Sequence, residues 1–460
     1  MKIKLYDSYS RSLREFEPIK GNRARIYACG PTVYDYAHIG NLRTYIFEDT
    51  LRRTLEFFGY EVTHVVNITD VGHLTSDADT GEDKIEQGAK KAGKTAWEIA
   101  LLYTEAFKQD LVHLNILQPD IWCRATDHIA EQISAIRAIE KKGFAYITTD
   151  GVYFDTSKLE NYGYLARLDV AGLNAGQRVD IGEKRNTTDF ALWKFSRKDA
   201  ARQMEWDSPW ARGFPGWHIE CSAMAVKYLG EMFDIHCGGK DHITVHHCNE
   251  IAQAQVCYGT QLANFWLHGY FLETDQAKMS KSDGEFLRLA SLVERGHDPL
   301  SYRYLCLTAH YRGDLKFTWQ SLNGAETALN RLRAAVHAWG EPDNPDDQYL
   351  QQFRHEVYND LNTPKALAVI WNLVKSNLAP ARKKATILEC DKILGFDLAN
   401  WRPVVLEIPD TVKTLMALRT QARQARNWVE ADKFREQIAE LGYDIEDSAK
   451  GAVLRKKPLP

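Results

Sequence analysis

Apolar positions recur in two rhythms along this chain, and the change from one to the other divides it. In the first half, strand-like runs alternate with amphipathic segments. Residues 25–28 and 62–68 are strand-like, and between them Leu42, Ile46, Leu51 and Leu55 share one helical face that Gly59 closes. Such a βαβ unit predicts a parallel, doubly wound sheet. Residues 73–95 are polar, with Asp77, Asp79, Glu82 and Asp83, but the spacing of a calcium loop is missing, so a solvated excursion is expected. Ile129, Ile133, Ile136 and Ile139 predict a helix that stops at Gly143. A hairpin follows, residues 145–148 against 152–155, turned at Asp150-Gly151. The first rhythm then resumes with a helix over 219–228, a strand over 233–236, a helix over 250–258 and a strand over 265–272. Beyond about residue 320 the period is helical. Leu329, Leu332, Ala335 and Val336 lie on one face, helices over 365–373 and 411–425 follow, and 428–457 reads as a helix with a short basic tail.

Bulk properties narrow the class. At 460 residues the chain divides into two to four domains, and 44% hydrophobic with 26% charged residues is ordinary for a soluble globular protein. The N-terminal residues lack an apolar leader and no run reaches membrane-spanning length, so a cytoplasmic location without membrane contact is expected. Eight cysteines without C-x-x-C spacing argue against a disulfide framework or a zinc ribbon. A net charge of −4 argues against a broad non-specific grip on polyanions, but leaves a local basic face open.

Two short motifs carry chemistry. Lys278-Met279-Ser280-Lys281-Ser282 sets two ammonium groups and two hydroxyls on a polar turn, which suits charge building on a leaving pyrophosphate. His38-Ile39-Gly40-Asn41 stands far upstream, between the first strand and the first helix. Alone, the former is a solvated basic turn and the latter a packed turn; together and in this order they point to a nucleotide. Further blocks accompany them: Cys29-Gly30-Pro31-Thr32-Val33-Tyr34-Asp35, Asn67-Ile68-Thr69-Asp70, Gly216-Trp217-His218-Ile219-Glu220-Cys221-Ser222-Ala223-Met224 and His246-His247-Cys248-Asn249-Glu250. From the first strand to the C-terminal tail, the set resembles the cysteinyl-tRNA synthetases. Those class I aminoacyl-tRNA synthetases carry the ATP-binding signatures His-Ile-Gly-His and Lys-Met-Ser-Lys-Ser.

The residues themselves allow a metal site. His246 and Glu250, four apart, share a helical face. Cys29 ends the first strand and Cys221 begins a helix, and in a doubly wound sheet such ends converge on one crevice. Two thiolates, an imidazole and a carboxylate make a tetrahedral zinc set, although any one of these cysteines is more readily read as a buried apolar group. The resemblance implies that Cys29, Cys221, His246 and Glu250 hold one Zn²⁺ that selects the substrate thiolate over serine's hydroxyl, with no editing domain. Cys248 stands where the family commonly has glutamate and points off the His246–Glu250 face; Cys237 reads as packing.

The resemblance implies the remaining roles as well. His38, Asn41, Lys278 and Lys281 would be catalytic, and His38, Gly40, Gly238, Asp241, Lys278 and Lys281 would bind ATP with its Mg²⁺. Thr69, Trp217 and His236 would face the cysteine. On the last helices, Arg419, Arg423 and Arg426 recur at helical steps, and Arg423, Trp428, Asp432, Arg435 and Asp447 match anticodon-reading positions. Asn41 replaces the second histidine of the first signature, keeping a donor but no charge.

The fold expected is α/β: a doubly wound parallel-sheet, Rossmann-like catalytic domain (1–115 and 206–265) with an inserted α/β subdomain (116–205). A lysine-loop region (266–320), an α-helical bundle (321–405) and a small C-terminal α+β anticodon-binding domain (406–460) complete it. The activity implied is ATP-dependent ligation of L-cysteine to tRNA(Cys) by a monomer. A cysteine-activating ligase acting on an amino sugar and a non-catalytic RNA-binding paralogue are the alternatives.

Overall fold

A computed structural model describes residues 2–72, 83–168, 183–197, 202–274, 287–403, 409–448 and 451–456. Two compact units divide the chain, one of residues 1–288 with 300–399 and one of 289–299 with 400–460. The first unit opens on a hairpin, β1 (Lys4–Asp7) against β2 (Ser12–Glu15), which the periodicity did not predict. The βαβ unit follows as β3 (Arg23–Ala28), α1 (Ile39–Phe58) and β4 (Glu61–Ile68). His38 caps α1 reciprocally with Asn41, each side chain taking the other's backbone N–H, and Gly59 closes the helix at φ +102°.

Helices α2 (Lys84–Ala92) and α3 (Ala96–His113) lead to β5 (Ile121–Arg124). The solvated excursion expected over 73–95 is therefore wrong for its second half. Asp83 caps α2, and Ile85 and Ala89 are buried, a pair four apart that the surrounding charges hid from view. Residues 73–82 lie outside the described residues.

Next come α4 (Ile129–Lys141) and an antiparallel sheet of β6 (Ala145–Ile147), β7 (Gly151–Phe154), β8 (Phe190–Phe195) and β9 (Gly213–Pro215). The expected hairpin is there, with Tyr146 opposite Tyr153. This sheet packs Phe154, Leu192 and Trp193 against Ile136 and Ile139 of α4 and reaches Pro215, beyond residue 205, while the parallel strand β5 lies beyond residue 115.

The parallel rhythm returns with α5 (Trp217–Leu229), β10 (Phe233–Gly239), α6 (His246–Tyr258) and β11 (Ala263–Gly269). All pairings in the central sheet are parallel, in the order β11-β10-β3-β4-β5. From β3 the chain first fills one side of the sheet and later the other, so β3 and β10 flank the topological switch point. The strand expected over 265–272 breaks: Tyr270 N donates to Tyr311 O at 2.7 Å, and residues 272–274 instead pair in parallel with 315–317. Beyond residue 317 the regular elements among the described residues are helices up to a final hairpin, Tyr443–Ser448 with Gly451–Lys456.

Candidate active site and metal centre

At the carboxyl ends of β3 and β10 opens a cleft of about 410 Å³, and its lining includes Cys29, His38, Asn41, Thr69, Trp217, Cys221, Gly239, Asp241, His242 and His246. Strand order explains the convergence. Cys29 N donates to Cys237 O at 3.2 Å across the switch point, so the residue after β3 sits beside β10. Gly30 lets the chain pass close to β4 there, since a Cβ would stand 1.6 Å from Asn67 O.

Ligand atoms of Cys29, Cys221, His246 and Glu250 all lie within 4.8 Å of one another, and all four residues are buried. The helix expected to start at Glu250 starts at His246, which puts both residues on α6 one turn apart, Nε2 to Oε1 3.3 Å. His246 Nδ1 meets His218 Nδ1 at 2.9 Å, which orients the ring. His236 is fully buried and does not line the cleft; its Nε2 meets Glu250 Oε2 at 3.0 Å, so it holds the carboxylate from behind.

A second set, Cys29, His236, His247 and Glu250, shares two members with the first. Its histidines are already engaged, His247 with His268 at 2.8 Å and His236 with Glu250, and neither faces the cleft. The first set, with Cys29, Cys221 and His246 on the lining, is therefore the one open to the cleft. Cys248 turns away from it, Sγ to Ile243 O 3.1 Å, and Cys237 is packed inside β10.

Charge at the centre suits a cation. Burial, then Cys221, pushes the Cys29 thiol well above its usual range. Cys221 is pulled down by its hydrogen bond with Cys29, but burial leaves it raised overall. Burial also holds His246 well below an ordinary histidine. Burial opposes ionisation of Glu250, yet His236 and His246 keep its carboxyl below the usual range. Two thiols, a neutral imidazole and an ionised carboxylate at this spacing fit zinc, which binds such groups with loss of the thiol protons.

His38 lines the cleft at the start of α1. Asn41 N donates to its Nδ1 at 3.2 Å, so the ring's proton sits on Nε2. Gly40 is close by necessity, because a Cβ there would stand 2.9 Å from the His38 ring. Gly238 behaves alike, its Cβ position lying 2.4 Å from His242 Nδ1. Asp241 is exposed on the cleft wall, Thr69 is buried on its floor, and the Trp217 ring lies 5.3 Å from that of His246. Ile39 N donates to Leu287 O at 2.9 Å, fastening the start of α1 to the residues that follow the lysine motif. Lys278 and Lys281 themselves lie outside the described residues.

Sequence reasoning missed His218, His242 and His247. For His242 and His247, the density of histidines over 236–247 was the available signal.

Residues 15–327 match the family described as tRNA synthetases class I (C) catalytic domain, and 406–455 match the cysteinyl-tRNA ligase anticodon binding domain. A cysteine–tRNA ligase of Burkholderia lata is 60% identical over 98% of this chain and 96% of its own length. The chain belongs to the cysteine–tRNA ligase family. Family members of Zymomonas mobilis and Treponema denticola are 44% and 42% identical over 97% and 98% of this chain, and over 96% and 98% of their own lengths. In fold, it is similar to a methionyl-tRNA synthetase of Mycobacterium tuberculosis solved with methionyl-adenylate. That likeness has a TM-score of 0.56 at 16% identity and covers 81% of this chain and 90% of the other. The class I fold expected for the family is thereby present.

In the second unit, the helices Asp410–Gln424 and Trp428–Glu440 carry Arg423, Trp428, Asp432 and Arg435, all exposed. The Arg423 guanidinium stands 5.8 Å over the Trp428 ring. The basic face expected from Arg419, Arg423 and Arg426 is shorter than its spacing suggested. Arg419 is buried, and Arg426 follows the helix end at φ +57°. Nothing is described of the Asp447 side chain. Among the described residues no helix is long and apolar enough to cross a membrane.

Proposed function

We propose that this chain joins L-cysteine to tRNA(Cys) at the expense of ATP, through a cysteinyl-adenylate intermediate. One observation carries the reading: a buried Cys–Cys–His–Glu set, three members of which (Cys29, Cys221 and His246) line a cleft that His38 and Asp241 also line. A Zn²⁺ ion held by Cys29, Cys221, His246 and Glu250 would supply a soft Lewis acid for the substrate thiolate, a preference that serine's hydroxyl leaves unmet.

The chain's own residues do the rest. Trp217 and Thr69 bound the amino-acid end, and Asp241 can accept from ribose hydroxyls. His38 Nε2–H donates to phosphate oxygens that arrive with Mg²⁺ at the start of α1, where the helix dipole also favours anions. The substrate carboxylate attacks the α-phosphorus and the bond to pyrophosphate breaks, with Lys278 and Lys281 meeting the charge released. The terminal ribose hydroxyl of tRNA then attacks the acyl carbon and AMP leaves. Arg423, Trp428, Asp432, Arg435 and Asp447 would read the anticodon.

Cysteine-dependent exchange of labelled pyrophosphate into ATP, followed by charging of tRNA with a GCA anticodon, tests the reading. Exchange without charging would favour the amino-sugar ligase, which the match to an anticodon-binding domain opposes. No exchange would favour the non-catalytic paralogue.

A further inference from the structure

On the cleft wall between Asp241 and His246 stands His242, a residue that the ligase reading leaves without a role. Its Nδ1 accepts from Gly239 N at 3.0 Å and closes the short turn over Lys240–Ile243. A backbone N–H only donates, so Nδ1 carries no proton and the neutral ring holds its proton on Nε2. Among the described residues Nε2 has no hydrogen-bond partner, although the ring lines the cleft.

Closing the turn requires only an acceptor at the Nδ1 position, which asparagine would supply with less bulk. The imidazole adds a second, oriented donor. That donor sits beside Asp241, the residue suited to the ribose, while the ring centroid lies 5.3 Å from that of His246, at the amino-acid end. The His247 ring, 5.1 Å away, and the backbone contact at Gly239 limit its movement.

We infer that His242 binds the adenylate through Nε2–H, donating to an anionic oxygen where the cysteinyl carboxyl meets the nucleotide α-phosphate. The assignment rests on the ligase reading above and adds to it a residue that touches the reacting atoms. The donor is fixed before substrate arrives and meets charge that redistributes as the new oxygen–phosphorus bond forms. Its effect therefore falls mainly on kcat.

Three variants test this in cysteine-dependent pyrophosphate exchange, with bound zinc measured on the same samples. His242→Asn keeps the acceptor for Gly239 N but lacks the Nε2 donor, and His242→Leu lacks both. Each should lower kcat about tenfold or more, with the KM values for ATP and cysteine within about twofold. His242→Gln, whose amide reaches the Nε2 position, should recover most of the loss, and zinc should match the unaltered chain in all three. Wild-type kcat in His242→Asn would overturn the assignment and leave only the turn-closing contact. Zinc lost in step with rate would overturn it too, since His242 would then act through the metal set. Absence of exchange by the unaltered chain would remove the ligase reading and this inference with it.

Discussion

Glu250 shows how single atoms are shared at this centre: one carboxylate oxygen faces His236 and the other faces His246. Cys29 and Cys221 complete the set from separate parts of the chain, so removing either leaves three donors. Cys221→Ser should lower bound zinc and weaken apparent cysteine affinity together, each by about tenfold or more. Metal analysis and the KM for cysteine check this, and unchanged values for both would take Cys221 out of the set. A different residue contributes to acid sensitivity. His64 on β4 is buried, both ring nitrogens lack a hydrogen-bond partner among the described residues, and burial lowers its pKa to about 4. With an unfolded value near 6.5, the unfolded chain takes up the proton first as pH falls. The stability from neutral His64 is thus complete above about pH 6.5 and lost progressively toward pH 4. His64→Leu should make the drop in urea-unfolding free energy between pH 7 and pH 5 smaller by roughly 2 kcal/mol.

Elements are tied together by one buried cation. Arg303, fully buried, donates to Leu394 O at 2.6 Å and Leu114 O at 3.1 Å, and pairs with Asp49 of α1. Asp49 also accepts from Leu117 N at 2.8 Å and from Arg53. A helix of the C-terminal bundle, the end of α3 and the middle of α1 therefore meet at a single guanidinium. Burial opposes the Asp49 charge, but Arg303 and Arg53 hold its pKa low. Arg303→Met would strand that charge and two carbonyls, at a cost of about 3–5 kcal/mol in urea unfolding. A loss under about 1 kcal/mol would mean that Arg53 and water suffice. Fit is close here: Gly395 has φ +67°, and a Cβ on it would lie 2.5 Å from the Arg303 guanidinium.

At the scale of the whole molecule, the cleft and the stretch that matches an anticodon-binding domain lie in separate units. The second has its own small core of Val412, Ile438, Tyr443 and Ile445. Arg435 is exposed there, on a helix whose buried residues are Ala431 and Ile438. Arg435→Ala should lower tRNA charging about tenfold or more while cysteine-dependent exchange stays within about twofold. Impaired exchange would give Arg435 a structural role instead. Raising salt should weaken charging more than exchange, because only the former depends on phosphate contacts of the RNA.

Periodicity alone determined the class of this protein. The alternation of period-two and period-3.6 segments led to a parallel sheet, and Gly59, Gly143 and the Asp150-Gly151 turn marked ends that the fold keeps. These are local properties, written in the spacing of neighbouring side chains. Local spacing misread residues 84–92, where one buried stripe was outnumbered by charge, and Arg419, whose burial depends on what packs over it. Motif chemistry named the donor types, but eight cysteines and fifteen histidines offered many combinations. Which of them meet was decided by strand order. With β10 inserted beside β3, Cys29 lies against Glu250, more than two hundred residues away; His236 goes behind the carboxylate, and His242 faces the cleft. Convergence at a switch point is a property of topology, and topology is decided by how whole faces bury one another rather than by any stretch of chain read alone.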